Sequence, residues 1–153
     1  MALTEVEFHS GVADALDFAC RLLRKACRQG ARVQVTAPEA TLAALDRALW
    51  TFEEREFLPH VRMPGASAEV AALTPIWLSA QAGGEGAPRV LVNLDADMPS
   101  DLAALDRLIE IVGAQAEQAE RGRARWRAYK ATGLAITHHQ AQRAAITASL
   151  PPR

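Results

Sequence analysis

The first fifty residues alternate twice between a strand pattern and a helix pattern, and this alternation constrains the fold more than any other feature. Residues 3–9 are typical of a strand, and residues 12–28 place apolar side chains at helical spacing. Residues 31–36 alternate as a second strand, and a second helix is expected over residues 38–50. A β-α-β-α start of this kind favours a parallel sheet that is covered by helices.

The remainder of the chain continues this alternation less regularly. Residues 51–74 show little periodicity, so we expect them to form one irregular connection. Five further elements are predicted: strands at residues 75–79 and 89–94, helices at residues 102–112 and 114–131, and a last short strand at residues 133–137.

Length and composition agree with one folded domain. The chain has 153 residues, of which 50% are apolar and 23% are charged. A chain of this length buries about 68–70% of its unfolded surface in a single core. We therefore expect an α/β domain of three layers with a largely parallel central sheet over residues 1–139. Residues 140–153 are expected to form a C-terminal tail, for which disorder is one alternative.

Charge and hydropathy argue against several functional classes. Proteins that mainly grip phosphate backbones usually carry a strong positive charge, whereas this chain has a net charge of −1. No stretch approaches the roughly 18 uninterrupted apolar residues of a membrane span, and the first residues lack the basic start of a secretory signal. The sequence therefore predicts a cytoplasmic protein that does not contact a membrane and whose primary ligand is not nucleic acid.

Motifs for catalysis or cofactor binding are weak. The turn after the first strand contains His9-Ser-Gly, which lacks the glycine spacing of a nucleotide-binding loop. Cys20 and Cys27 lie two helical turns apart, about 10 Å, which is too far for a disulfide. Asp95 and Asp97 could hold a metal at a strand end, but a surface loop is the commoner case. We expect no catalytic residue, no metal and no cofactor.

The most specific functional signal is a basic segment, residues 121–130, which contains five cations, two aromatic residues and no acid. In a helix, one face of this segment carries four of these side chains: Arg123, Trp126, Arg127 and Lys130. Arginine binds carboxylates or phosphates through two hydrogen bonds, and an indole offers a flat apolar surface. The face suits an acidic, partly apolar partner; the alternative is a solvated helix whose indole is turned into the core.

A second apolar group lies at the predicted irregular connection. Trp50, Phe52 and Phe57 stand close together in a chain with only 5% aromatic residues. Exposed aromatic clusters often mark protein interfaces. The alternative is a satellite core that packs the connection onto the sheet.

An ordered series of segments carries a family resemblance. It includes Leu45-Asp-Arg-Ala-Leu-Trp-Thr-Phe52, Phe57-Leu-Pro-His60 and Arg123-Ala-Arg-Trp-Arg-Ala-Tyr-Lys130. Over nearly all of residues 4–139 the series resembles the chi subunit family of bacterial DNA polymerase III holoenzyme. The resemblance implies a non-catalytic accessory protein of the clamp-loader assembly, with a fold similar to mononucleotide-binding domains but without a nucleotide site.

The resemblance also implies two partners. Members of this family bridge the psi subunit, which ties them to the clamp loader, and the acidic C-terminal tail of single-stranded-DNA-binding protein, which ends in phenylalanine. Arg123 would bind the terminal carboxylate, and Val112 and Trp126 would line the phenylalanine pocket. Arg127 and Lys130 would attract the acidic residues upstream. Contact with DNA would then be indirect.

The psi-binding surface is expected at the apolar residues in and beside the connection, namely Trp50, Phe52, Phe57 and Pro59. Two features depart from the family pattern: His9 stands where many relatives have tyrosine, and the tail from Gln140 onward has no counterpart in shorter members. An α/β enzyme or nucleotide-binding protein that uses the carboxyl edge of the sheet is the alternative function. Direct binding of single-stranded DNA through the basic segment is a third.

Overall fold

The computed structural model describes residues 3–52 and 57–140, which form a parallel sheet flanked by helices. In chain order the elements are β1 (Glu5–Val12), α1 (Ala15–Arg28), β2 (Val33–Thr36), α2 (Glu39–Thr51), β3 (His60–Arg62), α3 (Ala68–Leu73), β4 (Ile76–Ser79), β5 (Val90–Leu94), a 3-10 turn (Leu102–Ala104), β6 (Arg107–Gly113), α4 (Ala116–Ala131) and β7 (Ala135–Gln140). The strand order is β3-β4-β2-β5-β6-β1-β7, and every pair of neighbouring strands is parallel.

The sheet has a separate apolar core on each face. On one face, α1 and α2 pack on a cluster that includes Leu23, Leu45 and Val92. On the other face, α4 packs on a cluster that includes Phe8 and Tyr129. The predicted three-layer α/β fold with a parallel sheet is therefore confirmed.

The helix predicted over residues 102–112 is wrong. Leu102–Ala104 form a single 3-10 turn, and Arg107–Gly113 form β6, which lies between β5 and β1. Both faces of a central strand are buried, so its apolar residues run continuously instead of alternating. A short run of this kind cannot be distinguished from a buried helix by periodicity alone.

The single irregular connection predicted over residues 51–74 is also wrong in part. His60–Arg62 form the edge strand β3, and Ala68–Leu73 form α3, whose first turn is capped by the Ser67 side chain. Elements of three and six residues contain too few positions to show a period. Residues 53–56 lie outside the described residues.

The last strand extends beyond the predicted residues 133–137. β7 ends at Gln140, which pairs with Ser10 of β1, so this residue belongs to the sheet and not to the tail. The rest of the predicted tail, residues 141–153, lies outside the described residues. Within the described ranges, no helix combines the length and the apolar character that are needed to cross a membrane.

Candidate functional site

The basic segment lies on α4, which confirms the helix predicted over residues 114–131 within two residues at its start. Glu117 lies in the first turn and Lys130 in the last, where each charge complements the helix dipole. The helix packs across β6, β1 and β7. One edge of the sheet therefore supports the helix that carries the cations.

Gly122 allows α4 to lie close to the sheet. A Cβ atom built at this position would lie 2.6 Å from Cγ1 and 2.9 Å from Cγ2 of Val112. Carbon atoms in contact are normally separated by about 3.5–4.0 Å. The absence of a side chain at residue 122 thus brings the basic helix directly over β6.

A buried polar network fixes the helix on the sheet. The Glu110 carboxylate is fully buried and accepts hydrogen bonds from Arg125 Nε at 2.9 Å, from the Tyr129 hydroxyl at 2.6 Å and from Asn93 Nδ2 at 2.9 Å. Burial raises the pKa of Glu110, while Arg125 and the hydrogen bonds act to lower it. Sequence reasoning missed this network, although a lone acid in an apolar strand was a signal for it.

A groove of about 570 Å³ opens between α4 and the edge formed by β1 and β7. Four of the five residues predicted to bind the acidic tail line it: Val112, Arg123, Trp126 and Arg127. Lys130, the fifth, is exposed one turn further along α4 and does not line the groove. The structure thus brings together an apolar floor and two guanidinium groups.

Trp126 contacts both the groove and the core, which are the two positions that the sequence left open for its indole. Its half-buried indole lies 5.0 Å from the Phe8 ring and packs against the core beneath α4. The same side chain lines the groove. Phe8 and Ser10 of β1 and His138 of β7 complete the opposite wall, and sequence reasoning missed all three because they come from distant parts of the chain.

The five cations of α4 differ in their partners. Arg121 donates to both carboxylate oxygens of Asp95, at 3.0 and 2.5 Å, and Arg125 is buried against Glu110. Arg123 contacts Glu120 at 2.6 Å, and both of these side chains are exposed. No ion pair involves Arg127 or Lys130 within the described ranges. These two are the cations most available to an acidic ligand.

The described residues give little support to a metal site, a nucleotide site or a reactive thiol. Asp95 is engaged by Arg121, and the described residues contain no group of three side chains that could hold a metal. Asp14 caps α1 by accepting a hydrogen bond from the Asp17 amide at 3.0 Å, so a carboxylate occupies the helix end where a phosphate would bind. Burial raises the pKa of the Cys20 thiol to about 11, which disfavours the reactive thiolate.

The four residues predicted for the psi surface differ in their exposure to solvent. Trp50 and Phe57 are 62% and 56% exposed, and their ring centroids lie 5.1 Å apart. Pro59 is half-buried, whereas Phe52 packs against the core under α1 and lies beneath the guanidinium of Arg24. The exposed part is therefore a patch formed by Trp50 and Phe57.

His60 supports this aromatic patch from β3, and it was not predicted as a site residue. Its ring lies 5.3 Å from Trp50 and 6.2 Å from Phe57, while its Nε2 atom lies 2.7 Å from the Asp46 carboxylate. Because β3 is one edge strand of the sheet and β7 is the other, the aromatic patch and the groove are at opposite ends of the sheet. The two surfaces are therefore separate on the molecule.

The fold and the groove define a class of protein, an α/β domain with a parallel sheet and a cationic, partly apolar groove beside one edge strand. A family model described as DNA polymerase III chi subunit, HolC, matches residues 3–137. The chain is also similar to the DNA polymerase III subunit chi of Pseudomonas aeruginosa, with 30% identity over 146 residues, or 92% of this chain and 99% of that protein. The chain belongs to the DNA polymerase III chi subunit family, and it is an accessory subunit of the replication machinery.

Proposed function

We propose that this chain is a cytoplasmic, non-catalytic adaptor. In this role it links the clamp-loader assembly, through a psi subunit, to the acidic C-terminal tail of single-stranded-DNA-binding protein. The observation that carries the proposal is the groove beneath α4, in which an apolar floor adjoins guanidinium groups. A peptide that ends in phenylalanine offers the complementary features, an apolar ring, a terminal carboxylate and acidic residues upstream.

The arrangement supports a particular orientation of such a peptide. The terminal ring would lie on Trp126 and Val112, and its carboxylate would bind Arg123 through two hydrogen bonds. Arg127 and Lys130 would attract the upstream carboxylates. Binding would require Arg123 to exchange the exposed carboxylate of Glu120 for that of the ligand. Glu120 is therefore a weak internal competitor for the ligand.

Calorimetric titration of the full chain with an acidic peptide that ends in phenylalanine tests this proposal. Arg123→Ala should weaken binding by about 1.5–3 kcal/mol, the range for a hydrogen bond to a charged group. Arg21→Ala is the matched control, because this exposed arginine also pairs with a nearby acid, Asp17, but lies on α1. Glu120→Gln should strengthen binding by removing the internal competitor.

A peptide with an amidated C-terminus provides the decisive comparison. It should bind the unmodified protein weakly and lose little more with Arg123→Ala, because the carboxylate and the guanidinium form one interaction. Equal affinity of the free and the amidated peptide would contradict the proposal. A titration with single-stranded oligonucleotide distinguishes a nucleic-acid surface, for which affinity would fall steeply with salt.

The aromatic patch supports the proposed binding of a psi subunit. Large apolar side chains that remain exposed together are typical of protein interfaces. Trp50 and Phe57 form such a pair at the end of the sheet remote from the groove. A partner on this patch would leave the groove free for the peptide.

A further inference from the structure

His138 lies in the groove opposite the arginine residues of α4. Its ring lies 5.0 Å from the Trp126 ring and nearly perpendicular to it, at 82°. The Nε2 atom lies 2.5 Å from Ser10 Oγ, within hydrogen-bonding distance. For Nδ1, the described residues provide no hydrogen-bond partner. The ring is thus held through one nitrogen, while the other remains available to a ligand.

The charges around His138 are mostly positive. The described residues that line the groove include two arginines, Arg123 and Arg127, and no acid. Ser10 on β1 and Trp126 on α4, which contact the ring, are neutral. Glu110 faces the same side of the sheet, but Phe8 on β1 separates it from His138, and Arg125 neutralises it. Within the described lining of the groove, an acidic ligand therefore meets cationic and neutral side chains around this ring.

The other face of β7 carries the remaining titratable neighbours. His139 stacks on His9 with ring centroids 4.7 Å apart, and Thr137 donates to Glu5. Glu7 on the same face is paired with Arg107. Adjacent residues of a strand point to opposite faces, so His138 faces the groove and His139 faces away from it. His139 is therefore a matched control for His138.

We propose that His138 is a further ligand-binding residue of this groove and that it links binding of an acidic peptide to pH. This inference rests on the proposed function of the groove. In the imidazolium form, Nε2 donates to Ser10 and Nδ1 donates to a peptide carboxylate, which makes a charge-assisted hydrogen bond. Peptide binding and protonation of the ring then favour each other, so affinity is higher at lower pH.

The test is calorimetric titration of the full chain with the same acidic peptide near pH 6 and near pH 8, where the carboxylates stay ionised. Repeating each titration in buffers of different ionisation enthalpy measures the protons taken up. We expect binding about two- to five-fold tighter near pH 6, as for a solvent-accessible ion pair, together with proton uptake. His138→Gln should abolish both effects, and His139→Gln should retain them.

Proton uptake by the unmodified protein is informative even if a variant fails to fold. Binding that neither depends on pH nor takes up protons would overturn the role of His138 and leave the proposed function intact. The same role is overturned if His138→Gln retains the pH dependence, or if only His139→Gln removes it. Failure of the peptide to bind at either pH would overturn the proposed function itself.

Discussion

Glu110 on β6 and Arg125 on α4 form a buried ion pair in which Arg125 Nε donates to Glu110 Oε1 at 2.9 Å. Tyr129, one turn further along the helix, donates to the same carboxylate. Two residues of one helix face are thereby tied to one point of the sheet. Because Arg123 and Trp126 flank Arg125, this pairing sets which helix face forms the groove.

Removing one partner of this pair should destabilise the protein strongly. Arg125→Met leaves the Glu110 carboxylate buried without its counter-charge, which typically costs about 3–5 kcal/mol. Urea denaturation measures the loss. Adding Glu110→Gln to Arg125→Met should recover part of the stability, because the buried charge is then gone. A loss below about 1 kcal/mol in the single variant would show that the pair does not anchor α4.

Gly122→Ala should disturb the contact between α4 and β6. The added methyl group would lie within 2.9 Å of both Cγ atoms of Val112, and overpacking of this kind typically costs about 1–3 kcal/mol. Val112→Ala removes those two atoms. In a double-mutant cycle, the combined variant should therefore lose less stability than the sum of the single variants. Simple additivity would contradict the close approach.

Phe57 and Leu58 offer a comparison between an exposed and a buried neighbour. Leu58 is 1% exposed, so Leu58→Ala should cost about 2–5 kcal/mol of stability. Phe57→Ala should change stability by no more than about 0.5 kcal/mol, as for a surface residue, and should weaken capture of a purified psi subunit. A large drop in melting temperature for Phe57→Ala would instead place this ring in the core.

His9 should make stability depend on pH. Burial, followed by the neighbouring charge of His139, lowers the pKa of His9 below its usual value of 6.5. As pH falls below that value, the unfolded chain takes up a proton before the folded protein does, so the free energy of unfolding decreases.

Chemical denaturation near pH 7.5 and near pH 5.5 measures this decrease in the free energy of unfolding. His9→Phe keeps an aromatic ring against Phe18 and should reduce the difference between the two pH values. Glu7 does not interfere in this range: Arg107 lowers its pKa, so its stabilising contribution is lost only below about 4.5. An unchanged difference in the His9→Phe variant would contradict the prediction.

Local patterns in the sequence determined much of this protein. Helical spacing predicted α4, and the same spacing placed Arg123, Trp126 and Arg127 on one face, because a helix fixes the positions of residues three and four apart. The ordered series of segments that resembled the chi family was confirmed by the family match over residues 3–137. The two exposed residues of the aromatic patch, Trp50 and Phe57, could also be grouped from the sequence, because they are close together in the chain.

Only the tertiary structure decided the remaining features. Residues 107–113 became a strand because their place between β5 and β1 buries both faces, a circumstance that local periodicity does not encode. The second wall of the groove unites Ser10 with His138, residues that are 128 positions apart and that meet because β7 pairs with β1. Pairing of strands that are distant in sequence depends on the whole sheet, so the sequence determined the helix that carries the cations, whereas the fold decided what that helix faces.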